Sequence, residues 1–141
     1  MLGRGLLDSL GGLAADAGLG RRVVVVTDTN VAPLYGDRAV AALERGGFQA
    51  SLAEMPAGEE HKTWDTVSLL VDSFVTGGLD RSGWVLALGG GVVGDTAGFA
   101  AAIYMRGVSL VQAVEPDRRR GIRLRRRLPD RAGADVGRAG E

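Results

Sequence analysis

Four clusters of residues in this chain have types and spacings that could do chemistry. The densest is Gly89-Gly90-Gly91-Val92-Val93-Gly94-Asp95. Through Gly89, Gly91 and Gly94 it satisfies G-x-G-x-x-G. It also lies between an apolar strand-type run and a small-residue helical stretch, the context this fingerprint needs. Glycine lets a backbone turn tightly and come close to a pyrophosphate. The free N–H groups of the first helical turn then face the phosphates, aided by the helix dipole. A glycine-rich turn that only packs a helix on a sheet fits the same residues. The acid sought about 20 residues later to hold a ribose would be Glu115 or Asp117, and both fall in a stretch of different composition.

The other three clusters are weaker. Asp28-Thr29-Asn30 follows the run Val23–Val26. At the carboxyl end of a strand, Asp28 and Asn30 could meet ribose hydroxyls or an adenine edge. Taken alone, these residues fit an ordinary Asx turn ahead of a helix better. In Gly58-Glu59-Glu60-His61-Lys62, Glu59 and Lys62 could hold a polar ligand from two sides, or form a solvated charged loop. Arg106, in Tyr104-Met105-Arg106-Gly107, could fork onto a phosphate or complement a helix dipole. His61 is the single histidine and there is no cysteine. Disulfides, cysteine-type zinc sites, a nucleophilic cysteine and any site needing two histidines from this chain are therefore excluded. No metal ligand is assigned.

These clusters need elements to position them. Leu6, Leu10, Leu13 and Ala17 fall on one helical face, and Gly18 and Gly20 stop that helix. Val23–Val26 is a β-branched run of the kind buried on both faces of a parallel sheet. Asp37 can cap a helix carrying Val40 and Leu43, which ends at Gly46-Gly47. Phe48, Ala50 and Leu52 alternate with Gln49, Ser51 and Ala53 as a second strand. Thr63 can cap a helix with Trp64, Val67, Val71 and Phe74 on one face, ended by Gly77-Gly78. Trp84–Leu88 is a third strand, Val92 to about Tyr104 a helix, and Val108–Gln112 a fourth strand left at an edge. The alternation predicts an α/β fold, a doubly wound Rossmann-like domain with a mainly parallel sheet.

The 141 residues suffice for one modest core, and formal net charge is zero. Neutrality argues against a basic nucleic-acid binder. No apolar run approaches the roughly 20 residues of a membrane span, and a cytoplasmic location is expected. The zero is a cancellation. Residues 1–113 hold 8 basic and 12 acidic residues, a net of −4, and residues 114–141 hold 9 arginines and 5 acids, a net of +4. The second stretch uses nine residue types and shows neither helical nor strand periodicity. It divides the chain into a domain at 1–113 and an Arg-rich segment at 114–141, expected to be disordered or the product of a shifted reading frame. A non-catalytic nucleotide-binding module with a basic tail is one alternative. No aromatic residue stands among those arginines to stack a base.

Together the motifs resemble one family, the 3-dehydroquinate synthases. The matching text is VVVVTDTNVAPLY, MPAGEEHK and LALGGGVVGDTAGFAAAIYMRGVSLVQ, in order, over about Leu6 to Gln112. Related sugar-phosphate cyclases share this plan and remain an alternative. The resemblance implies NAD as a catalytic cofactor and a divalent metal, zinc or cobalt. It implies cyclisation of 3-deoxy-arabino-heptulosonate 7-phosphate to 3-dehydroquinate with loss of phosphate. It implies that Asp28 and Asn30 contact the adenosine part of NAD and that Glu59 and Lys62 hold the cofactor across the cleft. Gly90, Gly91, Val92, Val93, Gly94 and Asp95 would cradle the pyrophosphate and reach toward the nicotinamide. Arg106 would bind the phosphate of a small sugar-phosphate substrate across the interface of a homodimer.

The chain also departs from that family. After Gln112 the expected Pro-Thr-Thr and the later Val-Gly-Gly-Lys-Thr do not follow. The C-terminal helical domain, with its metal-binding Glu and two His, and an initial β-hairpin are expected to be missing. Such a fragment is expected to be inactive alone, with marginal stability and exposed apolar surface.

Overall fold

The β-branched run at Val23–Val26 and the apolar run at Trp84–Leu88 become the two central strands of the molecule. The structure, a computed structural model, describes residues 9–117 and 121–127, with side chains over 9–113. The elements in chain order are α1 (Leu10–Asp16), β1 (Arg22–Asp28), α2 (Asp37–Arg45), β2 (Gln49–Met55), α3 (Trp64–Thr76), β3 (Trp84–Leu88), α4 (Gly91–Ile103), β4 (Ser109–Asp117) and β5 (Gly121–Arg127). One sheet runs in the order β2-β1-β3-β4-β5. Its first four strands are parallel and β5 is antiparallel to β4.

Because β1 and β3 are buried on both sides, each sheet face carries a core. On one face Val24, Val26, Val85, Ala87 and Leu110 pack under α3 and α4 through Leu70, Phe74, Val93, Ala97 and Ala100. On the other, Val23, Val25, Trp84, Leu86 and Val111 pack under α1 and α2 through Leu10, Ala14, Ala39, Ala42 and Leu43. The expected doubly wound, mainly parallel α/β fold is what forms. Between β1 and β3 the chain order reverses direction across the sheet, which is where such sheets bind ligands.

Local expectations divide into those met and those corrected. Gly18 and Gly78 sit at φ 74° and 72° and end their helices as read. Thr63 caps α3, its hydroxyl accepting from the Thr66 N–H at 3.3 Å. Asp37 is not a cap: it is the first residue of α2, entered directly from a π-helical turn at Ala32–Gly36. In α1 the buried residues are Leu10, Gly11 and Ala14, while Leu13 is 38% exposed. The face turns because a Cβ on Gly11 would stand 2.6 Å from the Ala42 carbonyl oxygen, so α1 seats its bare backbone on the end of α2. Leu6 lies outside the described residues. Trp64, expected inside, is 71% exposed.

The largest correction concerns the Arg-rich stretch, expected to be without regular structure. β4 runs on through Asp117, and β5 pairs with it from Leu110↔Arg127 to Asp117↔Gly121, with an irregularity between Val114 and Asp117. A β4 edge would present a row of unpaired N–H and C=O groups. β5 takes up that row, so the fourth strand is not left at an edge. The rest of 114–141 lies outside the described residues.

Candidate functional site

The carboxyl ends of β1, β2 and β3 bring three of the four clusters to one edge of the sheet. Asp28 closes β1. One carboxylate oxygen, Oδ1, accepts from the N–H groups of Asn30 at 2.9 Å and Val31 at 2.8 Å. This is an Asx turn, and it fixes Asp28 and Asn30 at the mouth of the β1–β3 crevice. Thr27, fully buried, donates its hydroxyl to the Leu88 carbonyl at 2.7 Å and ties the ends of β1 and β3 together. The β2 exit is tied in turn: the Ala57 N–H donates to Thr29 Oγ1 at 3.2 Å, and the Thr29 N–H to the Met55 carbonyl at 3.1 Å.

The glycine turn follows β3, and its glycines have different reasons to be glycine. Gly89 has φ 153°, and a Cβ there would stand 3.1 Å from Val93. Gly94 lies in α4 where a Cβ would collide with the Gln112 side-chain amide of β4, so its bareness lets the helix sit close to the sheet. Gly90 and Gly91 are exposed, neither has a positive φ, and a Cβ on either would meet nothing within 4 Å. Among the described residues neither packing nor backbone geometry asks for glycine at these two positions. What glycine provides there is an uncovered backbone at the start of a 13-residue helix, the surface that a phosphate uses.

Beside that turn stands the Lys62 ammonium. It donates to Asp95 Oδ2 at 2.9 Å and lies 3.8 Å from Glu59 Oε2. Asp95 is one turn into α4, so the pair links the Glu59–His61 3₁₀ turn to the glycine helix. The hydrogen bond that Lys62 donates to Asp95, then the charges of Asp95 and Glu59, push the Lys62 pKa above its ordinary value. Lys62 and Asp95 also form one end of a cavity of about 350 Å³, whose walls are Thr63, Trp64, Val67, Thr96 and Phe99. Trp64 and Phe99 meet edge to face with ring centres 5.1 Å apart. His61 stands 4.0 Å from Glu60. Among the described residues no group of three or more His, Cys, Asp or Glu could hold a metal ion.

The fourth cluster is not at this edge. Arg106 follows the far end of α4, and 13 helical residues at 1.5 Å each put it about 20 Å from Gly91 along the axis. The structure thus joins Glu59, Lys62 and Asp95 directly, sets Asp28, Asn30 and Gly90–Gly94 around the same crevice, and separates Arg106 from all of them. The sequence reading passed over Thr27 and the Trp64–Phe99 pair. A hydroxyl ending an otherwise apolar buried run was the available signal for Thr27.

Residues 52–115 match the family model described as 3-dehydroquinate synthase N-terminal. The chain carries the N-terminal region of the 3-dehydroquinate synthase family. A 3-dehydroquinate synthase from Geobacter metallireducens is 48% identical over 110 residues, which are 78% of this chain and 31% of that protein. The chain thus spans about a third of the length of the curated relatives it matches. Solved structures share its fold. A 2-deoxy-scyllo-inosose synthase superposes with TM-score 0.70 at 25% identity, over 77% of this chain and 30% of that one. A 2-epi-5-epi-valiolone synthase from Streptomyces hygroscopicus subsp. jinggangensis, with NAD+ and Zn2+ bound, superposes with TM-score 0.62 at 35% identity, over 70% and 28%. Among the described residues no helix is long and apolar enough to cross a membrane.

Proposed function

We propose that this chain supplies the NAD-holding part of a 3-dehydroquinate synthase, the enzyme that cyclises 3-deoxy-arabino-heptulosonate 7-phosphate to 3-dehydroquinate with release of phosphate. The observation that carries the reading is the bare backbone of Gly90 and Gly91, which nothing among the described residues requires. A pyrophosphate explains it, because its oxygens must approach the N–H groups more closely than a side chain would allow. The remaining residues fit the same ligand. Asp28 and Asn30, pinned by the Asx turn, face the adenosine end. Glu59 and Lys62 border the opposite wall. Val92 and Val93 bring the first-turn amides of α4 to the phosphates, and Asp95 orients the Lys62 ammonium beside them. When bound, NAD supplies a hydride acceptor that oxidises a substrate alcohol and is restored before product leaves.

Arg106 can join this site only from a second subunit, since its own helix holds it at the far end of the domain. We therefore assign it to the substrate phosphate in a homodimer. The described residues do not offer a divalent metal its ligands, so the proposed role is to hold nucleotide and substrate phosphate without turnover.

Calorimetric titration of the purified chain with NAD tests the reading. Saturable binding is expected. In Gly91→Leu the affinity should fall at least tenfold, by about 1.4 kcal/mol, with an unchanged melting temperature. Absence of binding to the folded wild-type chain overturns it. Phosphate release from the heptulosonate substrate, with NAD and zinc or cobalt added, would overturn the inactivity. A related sugar-phosphate cyclase is the second reading, favoured by the 0.70 superposition on 2-deoxy-scyllo-inosose synthase. Comparing substrate phosphates as ligands separates the two.

A further inference from the structure

The turn after α4 is the one place among the described residues where side-chain-bearing residues occupy left-handed backbone. Met105 has φ 47° and Arg106 φ 67°, and Gly107 follows at φ 104°. Two adjacent non-glycine residues in this region persist only where their surroundings hold them. The holding contacts converge on Tyr104. Its hydroxyl donates to the Leu79 carbonyl at 2.7 Å. Its ring packs edge to face on Phe74, with centres 5.3 Å apart. Its own carbonyl accepts from the Gly107 N–H at 2.7 Å, closing the turn. Phe74 is fully buried in α3, and Leu79 is buried in the loop that follows. Tyr104 thus fastens the turn to the solid core on one side, while Arg106 stands exposed on the other.

We propose that Tyr104 is the positioning residue for Arg106: its anchor keeps Met105 and Arg106 in left-handed backbone, which aims the guanidinium at an anionic ligand. The proposal rests on the reading of Arg106 as a phosphate ligand. It adds the residue that makes this arginine a preset donor fork. A guanidinium on a relaxed turn would have to be ordered by the ligand at each binding event, which weakens binding.

The test uses the whole ¹⁵N-labelled chain and inorganic phosphate as probe. The Arg106 Nε–Hε signal, assigned with Arg106→Lys, is followed through the titration, and NAD affinity is measured in parallel. Tyr104→Phe keeps the ring contact and removes the hydroxyl. It should weaken phosphate binding at Arg106 about fivefold to tenfold and leave NAD affinity unchanged. Adding Met105→Gly, which accepts φ 47° without steric conflict, should restore at least half of the loss. Unchanged phosphate affinity in Tyr104→Phe overturns the proposal. So does a parallel fall in phosphate affinity, NAD affinity and melting temperature, which marks a purely structural tyrosine, or a double variant that recovers nothing. A wild-type Arg106 signal indifferent to phosphate overturns the anion reading itself and the proposal with it. That outcome is distinct, because it appears before any variant is made.

Discussion

The two ends of α4 carry two sharp turns made by opposite means. At Gly89–Gly91 the chain bends with glycine and leaves its backbone uncovered. At Met105–Gly107 it bends through left-handed space with two full side chains in place, at a cost of about 1–2 kcal/mol for each. The first turn presents amides, so side chains would be in the way. The second presents a side chain, so glycine at Arg106 would remove the very group on offer. On the proposed reading, strain is tolerated where a side chain is needed and avoided where the backbone itself is the binding surface.

Three measurements can break or sharpen that contrast. The largest effect belongs to Gly89→Ala. At φ 153° with Val93 3.1 Å from the new Cβ, it should lose roughly 1–3 kcal/mol in urea unfolding. A loss under about 0.5 kcal/mol would falsify the claim that this glycine is conformational. Met105→Gly alone should act in the opposite direction, gaining up to about 1 kcal/mol by relieving left-handed strain. A net loss there would mean that Met105 is held by packing strong enough to hide the strain. The smallest effect is electrostatic. Lys62 is raised above its ordinary 10.5 by Asp95 first and Glu59 second. A raised pKa in the folded chain adds stability that is complete below 10.5 and disappears as pH climbs through the raised value. The Lys62 ¹³Cε titration should move back toward 10.5 in Asp95→Asn. The small stability difference between wild type and that variant should close at high pH. An unmoved titration would mean that the ion pair is not maintained in solution.

What the sequence announces follows the same division between backbone and side chain. β1 and β3 were legible because an all-apolar run has only one home in an α/β domain, the double-faced centre of the sheet. Gly18, Gly78 and Thr63 were legible because stopping and capping are local events with local residues. The α1 face was not, because Gly11 approaches Gly46 through space, and a helical wheel scores glycine as empty rather than as a contact. Trp64 was misplaced for a related reason. Its spacing fits the inner stripe, but it is the first helical residue after the Thr63 cap, and its ring meets Phe99 instead. β5 was invisible because its run is crowded with arginines. Its pairing draws on the open edge of β4, which no local pattern records. At the site, residue types suggested the ligand class, while the sorting of four glycines by separate causes needed coordinates. The distance of Arg106 follows from the length of α4, which the sequence already bounded at Val92 to about Tyr104.

The Thr27–Leu88 hydrogen bond closes a span of 61 residues. The crevice whose two strands it ties together is therefore not a local module that a partly folded chain could display. It exists only in molecules that have already met the entropy of a long loop and brought the crossing helices into register. On the proposed reading, nucleotide binding at this crevice is thermodynamically linked to completion of the whole sheet. A hundredfold excess of nucleotide over its dissociation constant would shift the folding equilibrium by about 2.7 kcal/mol. A nucleotide bound in this way would be a folding partner for the chain.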